Sequence, residues 1–224
     1  MNKKKYEAVI FDLDGTLLNT LDDLMDSVNF GLEKYHMPTR TFEEIRRFVG
    51  NGVQRLVERA VPEGTDADMQ NKVLEAFKEH YREHCNDKTN LYPGIPQLLR
   101  ELKARGFAMA IVSNKLQEGV DALYSQYFKA YLQTAIGARD GIHQKPAPDS
   151  VLKALKDLHI SKENAVYIGD SEVDIATARN AQMDCITVTW GFRTRREQEA
   201  AGAVTFADCP EEIIPLLYDT IRKN

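Results

Sequence analysis

The stretch VIFDLDGTL at residues 9–17 decides the fold class of this chain. An apolar run that begins at Ala8 is typical of a buried strand, and Asp12 and Asp14 follow it, one residue apart and just before a glycine turn. A carboxylate at the end of a buried strand can attack phosphorus or bind a hard cation. An ordinary strand followed by an Asp-Gly turn gives the same pattern. The meaning of the pair therefore depends on what the rest of the chain places beside it.

Composition excludes several classes of protein. The chain has 224 residues, of which 43% are hydrophobic and 28% charged, as expected for a globular protein with one large domain or a domain with an insert. A net charge of -5 argues against a nucleic-acid surface, and no apolar run approaches the roughly 20 residues that span a bilayer. Cys85, Cys185 and Cys209 have neither metal-site nor disulfide spacing, which favours a cytoplasmic location.

The stretch after the first strand is helical and has almost no strand signal. Apolar spacing predicts four helices there, at about 21–35, 42–49, 53–61 and 66–85. About 70 residues are too many for a loop, so we expect an inserted helical domain at 17–87. The core domain would then be formed by 1–16 and 88–224.

Strand and helix patterns alternate from Tyr92 onwards. Strands are predicted at about 107–112, 132–136, 165–168 and 185–188, with a possible edge strand at 204–206. Helices are predicted at about 95–105, 117–127, 148–158 and 171–181, with one more after Thr194 and a last one that starts near Pro215. This alternation predicts an α/β fold: a Rossmann-like parallel sheet with helices on both faces and a small helical insert.

Polar side chains follow several of the predicted strands. Because the carboxyl ends of parallel strands share one edge of the sheet, these groups are expected to meet. They are Asp12 and Asp14, then Ser113 and Asn114, then Lys145 in a loop, then Asp170 and Asp174. Carboxylates, a hydroxyl and a lysine together suit phosphoryl transfer through a covalent intermediate, in which Mg²⁺ and the lysine offset negative charge.

The four motifs, in this order, resemble those of the haloacid dehalogenase superfamily of aspartyl phosphatases, and the resemblance covers essentially the whole chain. It implies that Asp12 is the nucleophile and Asp14 the general acid/base. It also implies that Ser113 binds phosphate and that Lys145 holds nucleophile and phosphate together. The insert resembles the small helical cap of this superfamily, so residues 17–87 are called the cap below.

The same resemblance implies a Mg²⁺ site at Asp12, Asp14, Asp170 and Asp174. The backbone carbonyl of Leu13 is expected to reach the metal, and Asp174 to support it directly or through water. Plainer roles stay open for the neighbours of these residues. Gly15 and Thr16 are candidates for phosphate binding, and Thr16 either positions Asp14 or only holds the turn. Asn114 is either a ligand or a turn residue, and Lys115 is expected to be a solvated cation.

The retained Asp14 and Asp170 favour phosphate chemistry over carbon–halogen cleavage, which needs neither a proton donor nor a cation. Cap residues 46–53 and the stretch 189–193 resemble those of bacterial phosphoglycolate phosphatases. That resemblance implies a phosphomonoester hydrolase, with Arg46 and Asn51 as candidates for binding the substrate.

Other functions stay open. They are a phosphatase of sugar or nucleotide phosphates, a pyrophosphatase, a phosphomutase of the β-phosphoglucomutase type, and a non-catalytic phosphate-binding regulatory module. The expected partner is a small phosphorylated metabolite, without nucleic acid or membrane, for a monomer or a homodimer.

Overall fold

A six-stranded parallel sheet forms the centre of the protein in a computed structural model that describes residues 4–218. The strands are β1 (Ala8–Phe11), β2 (Leu18–Asn19), β3 (Asn90–Leu91), β4 (Ala108–Leu116), β5 (Thr134–Ala138), β6 (Ala165–Gly169), β7 (Asp184–Val188) and β8 (Phe206–Ala207). The sheet order is β5-β4-β1-β6-β7-β8, and every neighbouring pair is parallel. The predicted α/β fold class is confirmed.

Helices cover both faces of this sheet. They are α1 (Leu21–Lys34), α2 (Phe42–Phe48), α3 (Gly52–Ala60), α4 (Ala67–His84), α5 (Ile95–Ala104), α6 (Gln117–Leu123), α7 (Asp149–Leu158), α8 (Glu172–Ala181), α9 (Arg195–Ala200) and α10 (Ile213–Leu216). Strand β1 shows how the two faces are used: Val9 and Phe11 belong to one hydrophobic cluster, whereas Ala8 and Ile10 belong to another. A strand that is buried on both faces needs a continuous apolar sequence, as found here.

The central position of β1 determines where its end lies. Ala8 pairs with Ala108 of β4 on one side and with Ala165 of β6 on the other. The carboxyl end of β1 therefore opens between the ends of two neighbouring strands. This is the edge at which ligands bind in open α/β sheets.

The cap helices α1 to α4 share a hydrophobic cluster of their own, which includes Leu32, Ile45 and Phe77. A capping box between Thr41 and Glu44 begins α2, as the sequence predicts. Phe192, from the segment after β7, also packs into this cluster. The division at residues 17–87 stays a prediction.

The two chain segments that join cap and core lie side by side, because β2 and β3 pair as a short antiparallel ribbon. Asp23 of α1 ties the second segment to the cap. Its carboxylate accepts hydrogen bonds from the backbone N–H of Thr89 at 2.9 Å and from the Thr89 hydroxyl at 2.7 Å. The β2–β3 ribbon and the Asp23 hydrogen bonds thus hold both connecting segments in place.

Several boundaries differ from the expected ones. Strand β4 continues to Leu116, with a shift of register after Val112, because its pairing with β5 resumes there. After α6 the chain makes a π-helical turn at Tyr124–Phe128. The turn expected from Pro210 is a 3₁₀ turn at Pro210–Glu212, and α10 begins at Ile213, two residues before the start expected near Pro215. A proline in the first turn of a helix costs no intrahelical hydrogen bond.

Two further points concern the ends of the fold. The edge strand is Phe206–Ala207, not 204–206, and the remainder of the expected last helix lies outside the described residues. Across residues 4–218, the search for a helix with the length and apolar character of a membrane span found none.

Candidate active site

The candidate site lies where β4, β1 and β6 end next to one another. Asp12 directly follows β1, Ser113 and Asn114 lie in the last part of β4, and Asp170 directly follows β6. Lys145 reaches the same place from the loop between β5 and α7. All five residues are buried, and they line one cavity between cap and core.

Lys145 is the centre of the polar contacts in this cavity. Its Nζ donates hydrogen bonds to Asp12 Oδ1 at 2.7 Å, to Asp174 Oδ1 at 2.8 Å and to the Tyr167 hydroxyl at 3.0 Å. Burial alone would lower the pKa of Lys145, but the carboxylates of Asp12 and Asp174 raise it above its usual value. The lysine is therefore charged and holds the Asp12 carboxylate in one orientation.

Asp12, Asp170 and Asp174 form an acidic triad. One carboxylate oxygen from each lies within 4.8 Å of the others. Burial, together with the nearby charge of Asp174, raises the pKa of Asp12 well above its ordinary range and that of Asp170 to about 7. Burial would also raise the pKa of Asp174, but Lys145, Ser171 and Tyr167 donate hydrogen bonds to its carboxylate and lower it.

This donor set fits a divalent cation such as Mg²⁺, which prefers oxygen ligands. The raised pKa values show that Asp12 and Asp170 lack enough positive charge nearby, and a cation would supply it. Asp174 is more fully hydrogen-bonded, because its two oxygens accept from Lys145, Tyr167 and Ser171. Asp170 accepts only one short hydrogen bond, from the backbone N–H of Phe192, and a long one from Thr16. Asp12 and Asp170 therefore keep more acceptor capacity for an ion than Asp174 does.

Glycines allow Asp170 to approach the end of β1. A Cβ atom on Gly15 would lie 2.6 Å from Asp170 Oδ1, and one on Gly191 would lie 2.4 Å from Asp170 Cβ. Thr16 donates a long hydrogen bond of 3.4 Å to Asp170 Oδ1. Gly15 and Thr16 therefore shape the surroundings of Asp170.

Asp14 lies beside the acidic triad, but its carboxylate is not part of it. It accepts hydrogen bonds from Thr20 Oγ1 at 2.7 Å, from Lys115 Nζ at 2.9 Å and, at 3.4 Å, from Ser113 Oγ. Burial would raise the pKa of Asp14, but Lys115 and Thr20 lower it overall. In the free protein the carboxylate is thus ionised, and it is oriented by Thr20, directly before α1, and by side chains of β4.

The expectation that Lys115 is a solvated cation is wrong. Its side chain is only 4% exposed, and its Nζ also donates to the hydroxyl of Tyr81, a residue of cap helix α4, at 2.5 Å. One signal in the sequence points to this: Lys115 comes two residues after Ser113, and side chains two apart on a strand share a face. Lys115 therefore connects Asp14 to the cap.

Asn114 supports the lysine loop. Its side-chain oxygen accepts from the backbone N–H of Lys145 at 2.7 Å, and its amide donates to the Lys145 carbonyl at 2.9 Å and to the Gly50 carbonyl of the cap at 3.1 Å. Asn114 thus fixes the loop that carries Lys145 and reaches the cap as well.

Arg193 joins the core to the cap from the other side. Its guanidinium pairs with Glu172 of α8 at 2.7 Å and donates to the backbone carbonyls of Arg46 and Val49, each at 2.7 Å. Sequence reasoning did not single out this residue as functional. It lines the cavity and is only 7% exposed.

Arg46 and Asn51 are not brought to the cavity. Arg46 donates to the carbonyl of Phe192 and pairs with Glu43 at 3.0 Å, so its guanidinium faces the segment after β7. The side-chain oxygen of Asn51 accepts from Arg59 at 2.9 Å, and neither residue is part of the cavity lining. The structure gives no support to a substrate contact by either side chain.

The cavity has a polar floor and an apolar roof. The core supplies the acidic triad residues Asp12 and Asp170 with Lys145, and the cap supplies Leu24, Val49, Gly50, Gly52, Val53, Leu56 and Tyr81. Tyr81 is the one cap residue in this lining with a polar side chain. A phosphate group suits the floor, whereas the roof offers few hydrogen-bond partners to anything attached to it.

Comparisons with known proteins agree with this geometry. The model of the haloacid dehalogenase-like hydrolase family matches residues 9–188. A phosphoglycolate phosphatase of Chromobacterium violaceum is 30% identical, with all of both chains covered. The crystal structure of a candidate phosphoglycolate phosphatase from Lactobacillus delbrueckii superposes with a TM-score of 0.91 at 37% identity and covers 96% of this chain and 99% of the other. CbbY from Rhodobacter sphaeroides, solved in complex with phosphate, has a TM-score of 0.73 at 26% identity, covering 93% of this chain and 96% of its own.

Proposed function

The chain belongs to the haloacid dehalogenase-like hydrolase family and is a phosphatase, and from this premise we propose that it is a Mg²⁺-dependent hydrolase of 2-phosphoglycolate that acts through an aspartyl-phosphate intermediate. One observation carries the proposal. The Asp12 carboxylate is held by Lys145 inside an acidic triad, and a second, independently held carboxylate, Asp14, lies beside it.

The proposed reaction has two halves. An Asp12 oxygen attacks phosphorus and the bond from phosphorus to the ester oxygen breaks. Asp14 takes a proton from the bound phosphate monoanion and passes it to the leaving oxygen. Water then attacks the phosphorus of the acyl phosphate, Asp14 takes its proton, and Asp12 and inorganic phosphate are released. Ser113 and Lys145 would hold the phosphate oxygens. Mg²⁺ bound at Asp12 and Asp170, with the Leu13 carbonyl as a further candidate ligand, would offset the negative charge of the phosphoryl group.

The roof of the cavity supports a small substrate. A sugar or nucleoside leaving group would place several hydroxyl groups against Leu24, Val53 and Leu56, and buried hydroxyl groups without partners are costly. Glycolate has a single carboxylate beyond its ester oxygen, so only this one group needs partners. Phosphoglycolate is also the substrate that the names of several relatives give for those proteins.

A substrate panel tests the proposal. Purified protein with Mg²⁺ should release phosphate from phosphoglycolate with a higher kcat/KM than from glucose phosphates, nucleoside monophosphates or pyrophosphate. Asp12→Asn should lose essentially all turnover, whereas Asp140→Asn, a change at an exposed aspartate outside the cavity, should retain it. Normal turnover by Asp12→Asn, or a preference for another class in the panel, would contradict the proposal.

The covalent intermediate has its own test. If Asp14 activates water, Asp14→Asn should hydrolyse the acyl phosphate more slowly than it forms from an activated phosphate ester. Acid quenching followed by peptide mass spectrometry should then find phosphate on the peptide that contains Asp12. Phosphate on another residue would disprove the nucleophile assignment.

A cytoplasmic location is also proposed. All three cysteines lie in the described part of the chain and are free thiols, as expected in a reducing compartment. The choice between monomer and homodimer remains a prediction, which sedimentation analysis would settle.

A further inference from the structure

We propose that Lys115 and Tyr81 together form the binding site for the carboxylate of the leaving group, and that this pair selects phosphate esters with an anion one carbon beyond the ester oxygen. The inference rests on the proposed function and extends it, because it assigns substrate selectivity to two residues that the phosphoryl-transfer steps do not use.

Lys115 and Tyr81 each have a hydrogen-bond donor that no acceptor within residues 4–218 uses. A lysine ammonium carries three N–H groups, and Lys115 uses one on Asp14 and one on Tyr81. The Tyr81 oxygen accepts that bond, and within residues 4–218 no acceptor is found for its own O–H. Lys115 is 6% exposed and Tyr81 is 7% exposed, and both line the cavity. Two buried donors next to each other suit the two oxygens of a carboxylate.

The other two cations in the cavity lining, Lys145 and Arg193, use more of their N–H groups in hydrogen bonds within the protein. Lys145 uses all three N–H groups on Asp12, Asp174 and Tyr167. Arg193 makes four hydrogen bonds with its five N–H groups, to Glu172 and to two cap carbonyls. Among the cations in the lining, Lys115 alone has both a free donor and a neighbouring free hydroxyl.

Lys115 also lies close to the place where the ester oxygen of the substrate would be. Lys115 Nζ lies 2.9 Å from Oδ1 of Asp14, the residue proposed to give a proton to the ester oxygen. A carboxylate one carbon beyond that oxygen is therefore within reach of Lys115. Elsewhere on the roof it would meet Leu24, Val53 and Leu56, which offer it no hydrogen bond.

The test compares two substrates of similar shape. Phosphoglycolate carries the carboxylate, and hydroxyethyl phosphate has a neutral hydroxymethyl group in its place. For each enzyme the measured quantity is the ratio of kcat/KM for phosphoglycolate to kcat/KM for hydroxyethyl phosphate. Lys115→Gln should lower this ratio by about 10- to 100-fold, because a charge-assisted hydrogen bond is lost for one substrate only. Tyr81→Phe should lower it by about 3- to 10-fold. Lys153→Gln, at an exposed lysine of α7, should leave the ratio unchanged.

A binding measurement separates recognition from catalysis. Phosphonopropionate is a non-hydrolysable counterpart of phosphoglycolate, and propylphosphonate lacks its carboxylate. Titration calorimetry should show that Lys115→Gln weakens binding of the former by a similar factor and leaves the latter nearly unchanged.

The possible failures are distinguishable. If Lys115→Gln reduces turnover of both substrates equally and binds both phosphonates as wild type does, the carboxylate site is refuted and Lys115 only positions Asp14, while the proposed phosphatase function stands. If the wild-type protein hydrolyses neither substrate, the proposed function fails and this inference fails with it.

Discussion

Replacing Asp170 with asparagine should make the metal-free protein more stable at pH 8. Burial and the charge of Asp174 raise the pKa of Asp170 to about 7 in the folded protein, against 3.8 for an ordinary aspartate. A carboxyl group whose folded pKa is raised stabilises the fold fully only below its unfolded pKa, and this contribution is lost as the pH rises through the folded pKa. Above pH 7 the ionised Asp170 carboxylate therefore destabilises the folded protein unless a cation is bound.

The size of the effect follows from the shift. One pKa unit corresponds to about 1.4 kcal/mol. The Asp170 carboxyl group therefore lowers the free energy of unfolding by on the order of 4 kcal/mol at pH 8 and about 2 kcal/mol at pH 5. Asparagine removes the charge and can still accept the hydrogen bond that the backbone N–H of Phe192 donates at 2.6 Å. In a protein of this size the gain at pH 8 would raise Tm by roughly 8–16 °C.

Asp174→Asn is the matched control, because its expected effect has the opposite sign. The pKa of Asp174 is lowered by Lys145, Ser171 and Tyr167, so its charge stabilises the fold above its unfolded pKa, and this stabilisation is lost on acidification. Asp174→Asn should therefore lower Tm at pH 8.

Thermal unfolding in EDTA at pH 5 and pH 8 measures both variants against wild type. In Mg²⁺ the wild-type Tm should rise, since a ligand that binds only the folded state stabilises it, and that of Asp170→Asn should not. The reasoning is refuted if Asp170→Asn is no more stable than wild type in EDTA at pH 8.

Three further changes test other parts of the structure. Gly191→Ala places a Cβ atom 2.4 Å from Asp170 Cβ and should weaken Mg²⁺ binding, measured by calorimetry, at least about tenfold; unchanged affinity would show that the site adapts. Phe77→Ala, a fully buried side chain of the cap cluster, should cost about 3–5 kcal/mol in urea unfolding, and a loss below 1 kcal/mol would contradict its role in that core. Asp23→Ala removes the acceptor for two hydrogen bonds from Thr89 and should cost about 2–4 kcal/mol in the same assay, whereas an exposed control such as Asp140→Ala should change stability by less than about 0.5 kcal/mol.

The predictable part of this protein is the part that strand topology controls. An apolar strand flanked by parallel neighbours has its end at a defined edge, so the proximity of Asp12, Lys145 and Asp170 follows from the order of strands and motifs. The α/β class and the capping box of α2 follow equally from local patterns.

The part that sequence reasoning missed depends on how the cap docks. Lys115 is buried because Tyr81, 34 residues earlier, covers it from the cap. Arg46 is not part of the cavity lining, and its guanidinium instead donates to the carbonyl of Phe192, 146 residues later. Local periodicity contains no information on such pairs, since each contact joins residues that are far apart in the sequence.

The contacts of Arg193 have a consequence for how this scaffold diversifies. Its guanidinium holds the cap by the main-chain oxygens of Arg46 and Val49, and every residue type carries such an oxygen. Substitutions of the cavity-lining residues Leu24, Val53 or Leu56 therefore leave both acceptor oxygens of Arg193 in the chain. Leu24 and Leu56 also belong to the hydrophobic cluster of the cap. Mutational libraries that keep side-chain volume at these two positions and vary Val53 freely should therefore yield catalysts for new leaving groups while the orientation between the two halves of the molecule is preserved.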